Sequence, residues 1–175
     1  MSKTKKLVLI ALTAAFMCVL SPISIPLGGG VGISLGIFVV VLTSYLLEAP
    51  MGVVSCGIYL LIGLLGLPVF AGFNGGVGAF VGPTGGFLVG YIFVALLAGV
   101  FAKIGKGKIF VFILGAAIGL LICYMLGVLW YMYVMKVKLV PAIFVCVVPY
   151  VLFDLVKITI ACIIGPLLKK NIIKA

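Results

Sequence analysis

Residues 109–134 read IFVFILGAAIGLLICYMLGVLWYMYV, an apolar run without a single charged residue or proline. About 20 such residues in helical form match the hydrocarbon thickness of a bilayer. The rest of the chain has the same character. Of 175 residues, 66% are apolar and 8% charged, and the mean hydropathy is +1.57. Soluble domains average about 45–50% apolar and about 25% charged, so neither a water-soluble fold nor a disordered chain fits this composition. Long continuous runs also exclude a transmembrane β-barrel, whose strands alternate lipid-facing and lumen-facing residues. The expectation is an all-α integral membrane protein forming a single membrane domain over residues 1–175.

Breaks in the apolar pattern predict six transmembrane helices at about 7–21, 33–49, 51–67, 84–102, 109–134 and 149–168. The first follows Lys3, Lys5 and Lys6 and has the outline of a signal peptide, but no clean small-x-small cleavage site follows it. The last is set by Pro149, which lacks an N–H and suits a first helical turn. Residues 139–148 then form a short apolar segment at the outer surface. All twelve cationic residues are Lys, and Glu48 and Asp154 are the only acids. A cytoplasmic N-terminus puts Lys3, Lys5, Lys6, Lys103, Lys106, Lys108, Lys169, Lys170 and Lys174 inside, and only Lys136 and Lys138 outside. That satisfies the positive-inside rule and makes both termini cytoplasmic in a multi-pass cell-membrane protein, and abundant Lys and Ile without Arg point to an AT-rich prokaryotic genome, hence a prokaryotic plasma membrane. The net charge of +10 suits anionic lipid headgroups; with no solvated basic surface, nucleic acid is not an expected partner.

The residues that could carry chemistry are few. With no His and no Cys-x-x-Cys pair, Cys18, Cys56, Cys123, Cys146 and Cys162 read as small apolar core residues, and no metal site is expected. No P-loop occurs and no nucleophile–base pair is evident, so neither catalysis nor a cofactor is expected, and if the chain moves a solute uphill the energy is coupled in from elsewhere. Glu48, at a cytoplasmic helix end, reads as solvated or as a partner contact. Two features stand out. Residues 66–91, GLPVFAGFNGGVGAFVGPTGGFLVGY, contain no charge, and residues 68–83 are expected to form an outer lid without regular structure. Pro83 would start the fourth helix, with the N–H groups of Thr84, Gly85 and Gly86 aimed outward as donors; tight helix packing through small residues is the alternative. Asn74, the lone amide of that lid, can donate and accept, or simply form a turn.

The second feature is Asp154 with Lys157, three apart and therefore on one helix face. Ionisable groups within a span mark a site by default; a self-neutralising structural pair is the alternative. Lys157 could bind an anionic group while Asp154 accepts from N–H donors, which suits a ligand with a carboxylate tail and an amide or urea head. In the first helix, Ala11 and Ala15 form a small-x-x-x-small pair that permits close helix contact.

The runs Gly66–Phe73, Gly75-Gly76 and Gly82-Pro83-Thr84-Gly85-Gly86-Phe87, with Pro149 and Asp154-x-x-Lys157 in the last span, resemble the BioY family over nearly the whole chain. These are the biotin-specific S components of energy-coupling factor (ECF) transporters. The resemblance implies a high-affinity vitamin-capture subunit that works with a transmembrane coupling subunit and two cytoplasmic ATPase subunits. Carried over by position, Asn74 and Asp154 would meet the ureido head of biotin, and Lys157 the valerate carboxylate or the Asp154 network. Thr84, Gly85 and Tyr91 would line the pocket, Phe70 and Phe73 would cover the bicyclic ring, and Ala11-x-x-x-Ala15 would dock on the coupling subunit. One departure is Phe153, where the family often has glycine before the aspartate. An S component for another small vitamin, or a partner-independent carrier or channel, are the alternative readings.

Overall fold

In the computed structural model, residues 2–26 and 31–174 are described. The elements are, in order, α1 (Lys3–Leu20), β1 (Ser24–Pro26), β2 (Gly32–Ser34), α2 (Gly36–Leu47), α3 (Met51–Leu64), a 3-10 turn (Ala71–Phe73), α4 (Val77–Val81), α5 (Gly85–Ile104), α6 (Ile109–Met135), α7 (Leu139–Cys146) and α8 (Val148–Lys174). Among the described residues, three helical stretches are long and apolar enough to cross a membrane: Gly85–Ile104, Ile109–Met135 and Leu139–Lys170, the last combining α7 and α8. The apolar helices α2 and α3 are shorter, because the expected runs 33–49 and 51–67 are trimmed by their surroundings. Ser34 and its neighbours pair with β1, Glu48 turns to φ +57 just after α2, and Gly66 turns to φ +106 just after α3. The last helix runs beyond the expected Leu168 to Lys174.

Buried position explains α2, which has almost no polar face. From Gly36 to Leu47 it is covered nearly all round, as expected of a helix at the centre of a bundle. Helices α8 and α5 pack against it, and α5 in turn packs on α6 through glycine. A Cβ on Gly90 would sit 2.8 Å from Cys123 Cα, and one on Gly119 would sit 2.9 Å from Val94 Cα, so the two backbones approach as only small residues allow. On the other side, α1 is fixed to α3 by a buried polar node. The hydroxyls of Thr13 and Ser55 are 2.8 Å apart, and Thr13 also donates to the Leu9 carbonyl at 2.8 Å. This node turns Thr13, Ala14 and Met17 inward and leaves Ala11 and Ala15 exposed on the outer face of the helix.

Three connections gather at one end of the bundle. The α1–α2 connection contains a short antiparallel pair, Ser24↔Ser34 to Pro26↔Gly32. It touches the α3–α5 connection, where the Gly72 N–H donates to the Pro22 carbonyl at 3.1 Å. The α6–α8 connection contributes α7 and the first turn of α8, from which Tyr150 reaches the Val31 carbonyl.

The segment expected to be an unstructured lid is instead well built. It holds the 3-10 turn, a bridge between Phe70 and Asn74, and helix α4. The Gly76 N–H donates to the Gly63 carbonyl at 2.7 Å. Gly75 is pressed so close that a Cβ would fall 2.2 Å from the Leu67 carbonyl oxygen. Its far end is held by Trp130, whose indole N–H donates to the Gly82 carbonyl at 2.9 Å.

Candidate ligand-binding site

Beneath these connections lies a partly open cavity of about 70 Å³. Its wall draws on every element near that end: Val31, Gly32 and Ser34 from the β2 edge, Phe70 and Asn74 from the lid, and Thr84 and Tyr91 from α5. Tyr59, Tyr124, Tyr150, Asp154 and Lys157 complete it.

The charged face comes from α8 alone. Tyr150, Asp154 and Lys157 recur at intervals of four and three, which places them in one stripe of the helix. Lys157 Nζ donates to Asp154 Oδ1 at 2.7 Å, and the Tyr124 hydroxyl donates to Asp154 Oδ2 at 2.7 Å. The side chains are 12% and 6% exposed for Lys157 and Asp154 respectively, so the pair is withdrawn from the bilayer and faces the cavity. A carboxylate offers about four lone-pair sites and an ammonium three donors. With one partner on each carboxylate oxygen and one bond from Nζ, both groups keep capacity for a further molecule. The cavity therefore offers acceptors for N–H groups beside a cation for an anionic group, within otherwise largely apolar and aromatic walls.

The remaining expected site residues divide. Asn74 lines the cavity, with its amide nitrogen donating to the Ala71 carbonyl at 2.8 Å, which leaves its side-chain oxygen as the group free to accept. Thr84 lines it and donates to the Ala79 carbonyl at 3.2 Å. Phe70 is buried in the wall, edge-on to Tyr59 at 5.5 Å between ring centroids. Tyr91 is buried in the floor, close enough to α2 that only a glycine fits at position 36; a Cβ there would lie 2.5 Å from the Tyr91 hydroxyl.

Gly85 and Phe73 lie elsewhere. Helix α5 begins at Gly85 rather than at Pro83, which sits in the preceding turn, and the Gly85 N–H is already donated to the Gly82 carbonyl at 3.1 Å. Gly85 faces a groove between α4, α5 and α6, where a Cβ would fall 1.8 Å from the Phe80 carbonyl oxygen and 2.8 Å from Trp130 Nε1. Its glycine is a packing requirement. Phe73 is 68% exposed and is not part of the cavity wall, because Gly72 at φ +71 and Phe73 at φ +58 turn its ring outward.

Reading the sequence alone missed Tyr59, Tyr124 and Tyr150. Within apolar runs, tyrosines look like core. The one available signal was the spacing of Tyr150 to Asp154 and Lys157, which extends the ionisable face by a turn.

Comparison with known proteins bears on this arrangement. A family model described as the BioY family matches residues 1–174. A biotin transporter BioY from Thermotoga maritima is 40% identical over 168 residues, covering 95% of this chain and 96% of that one. A probable biotin transporter BioY from Pyrococcus horikoshii is 36% identical over 169 residues, covering 97% and 99%. Among solved structures, the S-component for biotin from an ECF-type ABC transporter superposes with a TM-score of 0.88 at 27% identity, covering 97% of this chain and 95% of that one.

Proposed function

The chain belongs to the BioY family, and on that premise we propose that it is the biotin-capture S component of an ATP-driven ECF-type uptake transporter in the cell membrane. The observation that carries this reading is the Asp154–Lys157 pair, an ionised acceptor and an ionised donor side by side on the wall of the partly open cavity. Biotin presents a urea whose N–H groups suit a carboxylate and a carboxylate that suits an ammonium. In this reading Asp154 and the Asn74 carbonyl oxygen receive the ureido head, Lys157 neutralises the valerate carboxylate, and Phe70 and Tyr91 pack on the bicyclic ring. Thr84 shapes the rim.

The chain crosses the membrane six times as a single domain, by α1, α2, α3, α5, α6 and α8, with both termini in the cytoplasm and the cavity opening outward. It binds without performing chemistry and holds no cofactor. Energy comes from two cytoplasmic ATPase subunits through a transmembrane coupling subunit, which docks against the exposed Ala11 and Ala15 of α1. The uniform outward exposure of those two small residues, forced by the Thr13–Ser55 node, supports that assignment.

The test is equilibrium binding of biotin to the purified chain in detergent, with riboflavin and thiamine as competitors. Selective one-to-one binding of biotin is expected; folded protein that binds no biotin overturns the reading. Ala11→Trp addresses the partner assignment. It is expected to leave biotin binding unchanged and to prevent copurification of the coupling subunits, and normal assembly would reject the docking face.

A further inference from the structure

Two wall segments cover the cavity, and they are held very differently. The 66–84 segment is tied to the bundle at several points: Gly76 to Gly63, Val69 to the Tyr59 hydroxyl at 3.3 Å, and Gly82 to the Trp130 indole. The β2 edge of the cavity, Val31 to Ser34, has an antiparallel partner in β1. Helix α5 holds the Ser34 end through the Tyr91 hydroxyl, and among the described residues one side chain of the helical bundle bonds to the Val31 end. That side chain is Tyr150, whose hydroxyl donates to the Val31 carbonyl at 2.7 Å. Its ring is buried in the cavity wall, one turn before Asp154 on the same face of α8.

From this we infer that Tyr150 is a positioning residue that pins the β2 wall over the ligand and thereby sets the rate at which ligand leaves. The hydroxyl proton is donated to a backbone carbonyl of that wall. Removing it leaves the ring, the Asp154–Lys157 pair and the packing of α8 in place. The wall loses its one side-chain tether to α8, and the route past Val31 opens more often. The 66–84 segment keeps its other ties when the Tyr59 bond is lost, so Tyr59 does not play the same part. Opening at Val31 also exposes Cys146, a fully buried thiol on the same side of the cavity.

The release-rate half of this inference rests on biotin being the ligand, so the experiment has a readout that does not. In the first arm, the full chain and its Tyr150→Phe and Tyr59→Phe variants are exposed without ligand to a water-soluble methanethiosulfonate, and modification of Cys146 is followed by peptide mass spectrometry. Tyr150→Phe should label about three- to tenfold faster than the parent, the scale of one lost hydrogen bond, and Tyr59→Phe should label at the parental rate. In the second arm, dissociation of radiolabelled biotin should accelerate by a similar factor in Tyr150→Phe, with association faster as well; a lost direct contact would change dissociation alone. Parental labelling of Cys146 in Tyr150→Phe overturns the inference, as does equal acceleration in both variants. If the parent binds no biotin, the assignment of ligand fails while the labelling arm still decides the role of Tyr150.

Discussion

Both acids of the chain are paired with lysines of α8, one near each end of that helix, and the two pairs are built differently. Asp154 and Lys157 lie three residues apart on the same helix, with the carboxylate also bound by Tyr124. Glu48 and Lys169 join separate elements, tying the turn after α2 to the far end of α8, with Lys169 also 5.2 Å from the centroid of the Tyr45 ring. The second pair is 23% and 32% exposed at Lys169 and Glu48; it is a tether between elements at an accessible edge, of the kind whose net worth is small. The first is far more buried and its ion pair connects no two helices. Desolvating two charges is costly, and the link that Asp154 makes to another helix is a single hydrogen bond from Tyr124, which is consistent with the proposed role of the pair in receiving a ligand.

Breaking the cavity pair should have the largest consequence. Asp154→Ala leaves Lys157 without its carboxylate and removes the acceptor for N–H groups; biotin affinity should fall by about 3–5 kcal/mol, measured by titration calorimetry. Lys157→Ala should cost about 2–5 kcal/mol by the same measure. The double variant should lose much less than the sum, since the two groups act as one unit, and additive losses would show that they serve separate purposes. A smaller effect, about 0.5–1.5 kcal/mol in affinity, is expected of Tyr124→Phe, which deletes one hydrogen bond to Asp154 while keeping the ring. Glu48→Gln belongs at the bottom of the scale. It should lower thermal stability by no more than about 1 kcal/mol and leave biotin affinity unchanged, and a loss of binding would mean that the two ends of α8 are coupled. Raising ionic strength should sharpen the contrast, because an exposed pair is screened and a buried one much less so. The stability difference between parent and Glu48→Gln should shrink with salt, whereas that of Asp154→Ala should persist.

What could be read from sequence follows the same division between regular and irregular structure. The apolar runs that became α5 and α6 announce themselves by length, and the Asp154–Lys157 pair by being charged where charge is expensive. The β1–β2 pairing left no such signal, because a three-residue strand made of Ser, Ile and Pro has too few positions to show a period of two. The lid was legible as a special segment but not as a rigid one. Glycine marks either freedom or close approach, and at Gly75 and Gly85 the structure uses it for close approach. The same ambiguity led Gly85 to be placed in the pocket when its neighbour is the Trp130 indole. Phe73 stands exposed beside the cavity rather than in its wall, with left-handed backbone at Gly72 and at Phe73 itself, a local conformation that composition does not encode.

Trp130 has an optical consequence. It is the only tryptophan of the chain, and its indole N–H is bonded to the carbonyl of Gly82, where the lid runs into α5. Indole emission shifts with the polarity and hydrogen bonding around that nitrogen, and here the signal comes from one fluorophore at one known junction. Excitation at the red edge of the absorption band therefore reads the lid–helix junction alone, without a label and without the chain's seven tyrosines contributing background. A chain with this arrangement carries its own spectroscopic gauge of whether the end of the lid next to the cavity has changed.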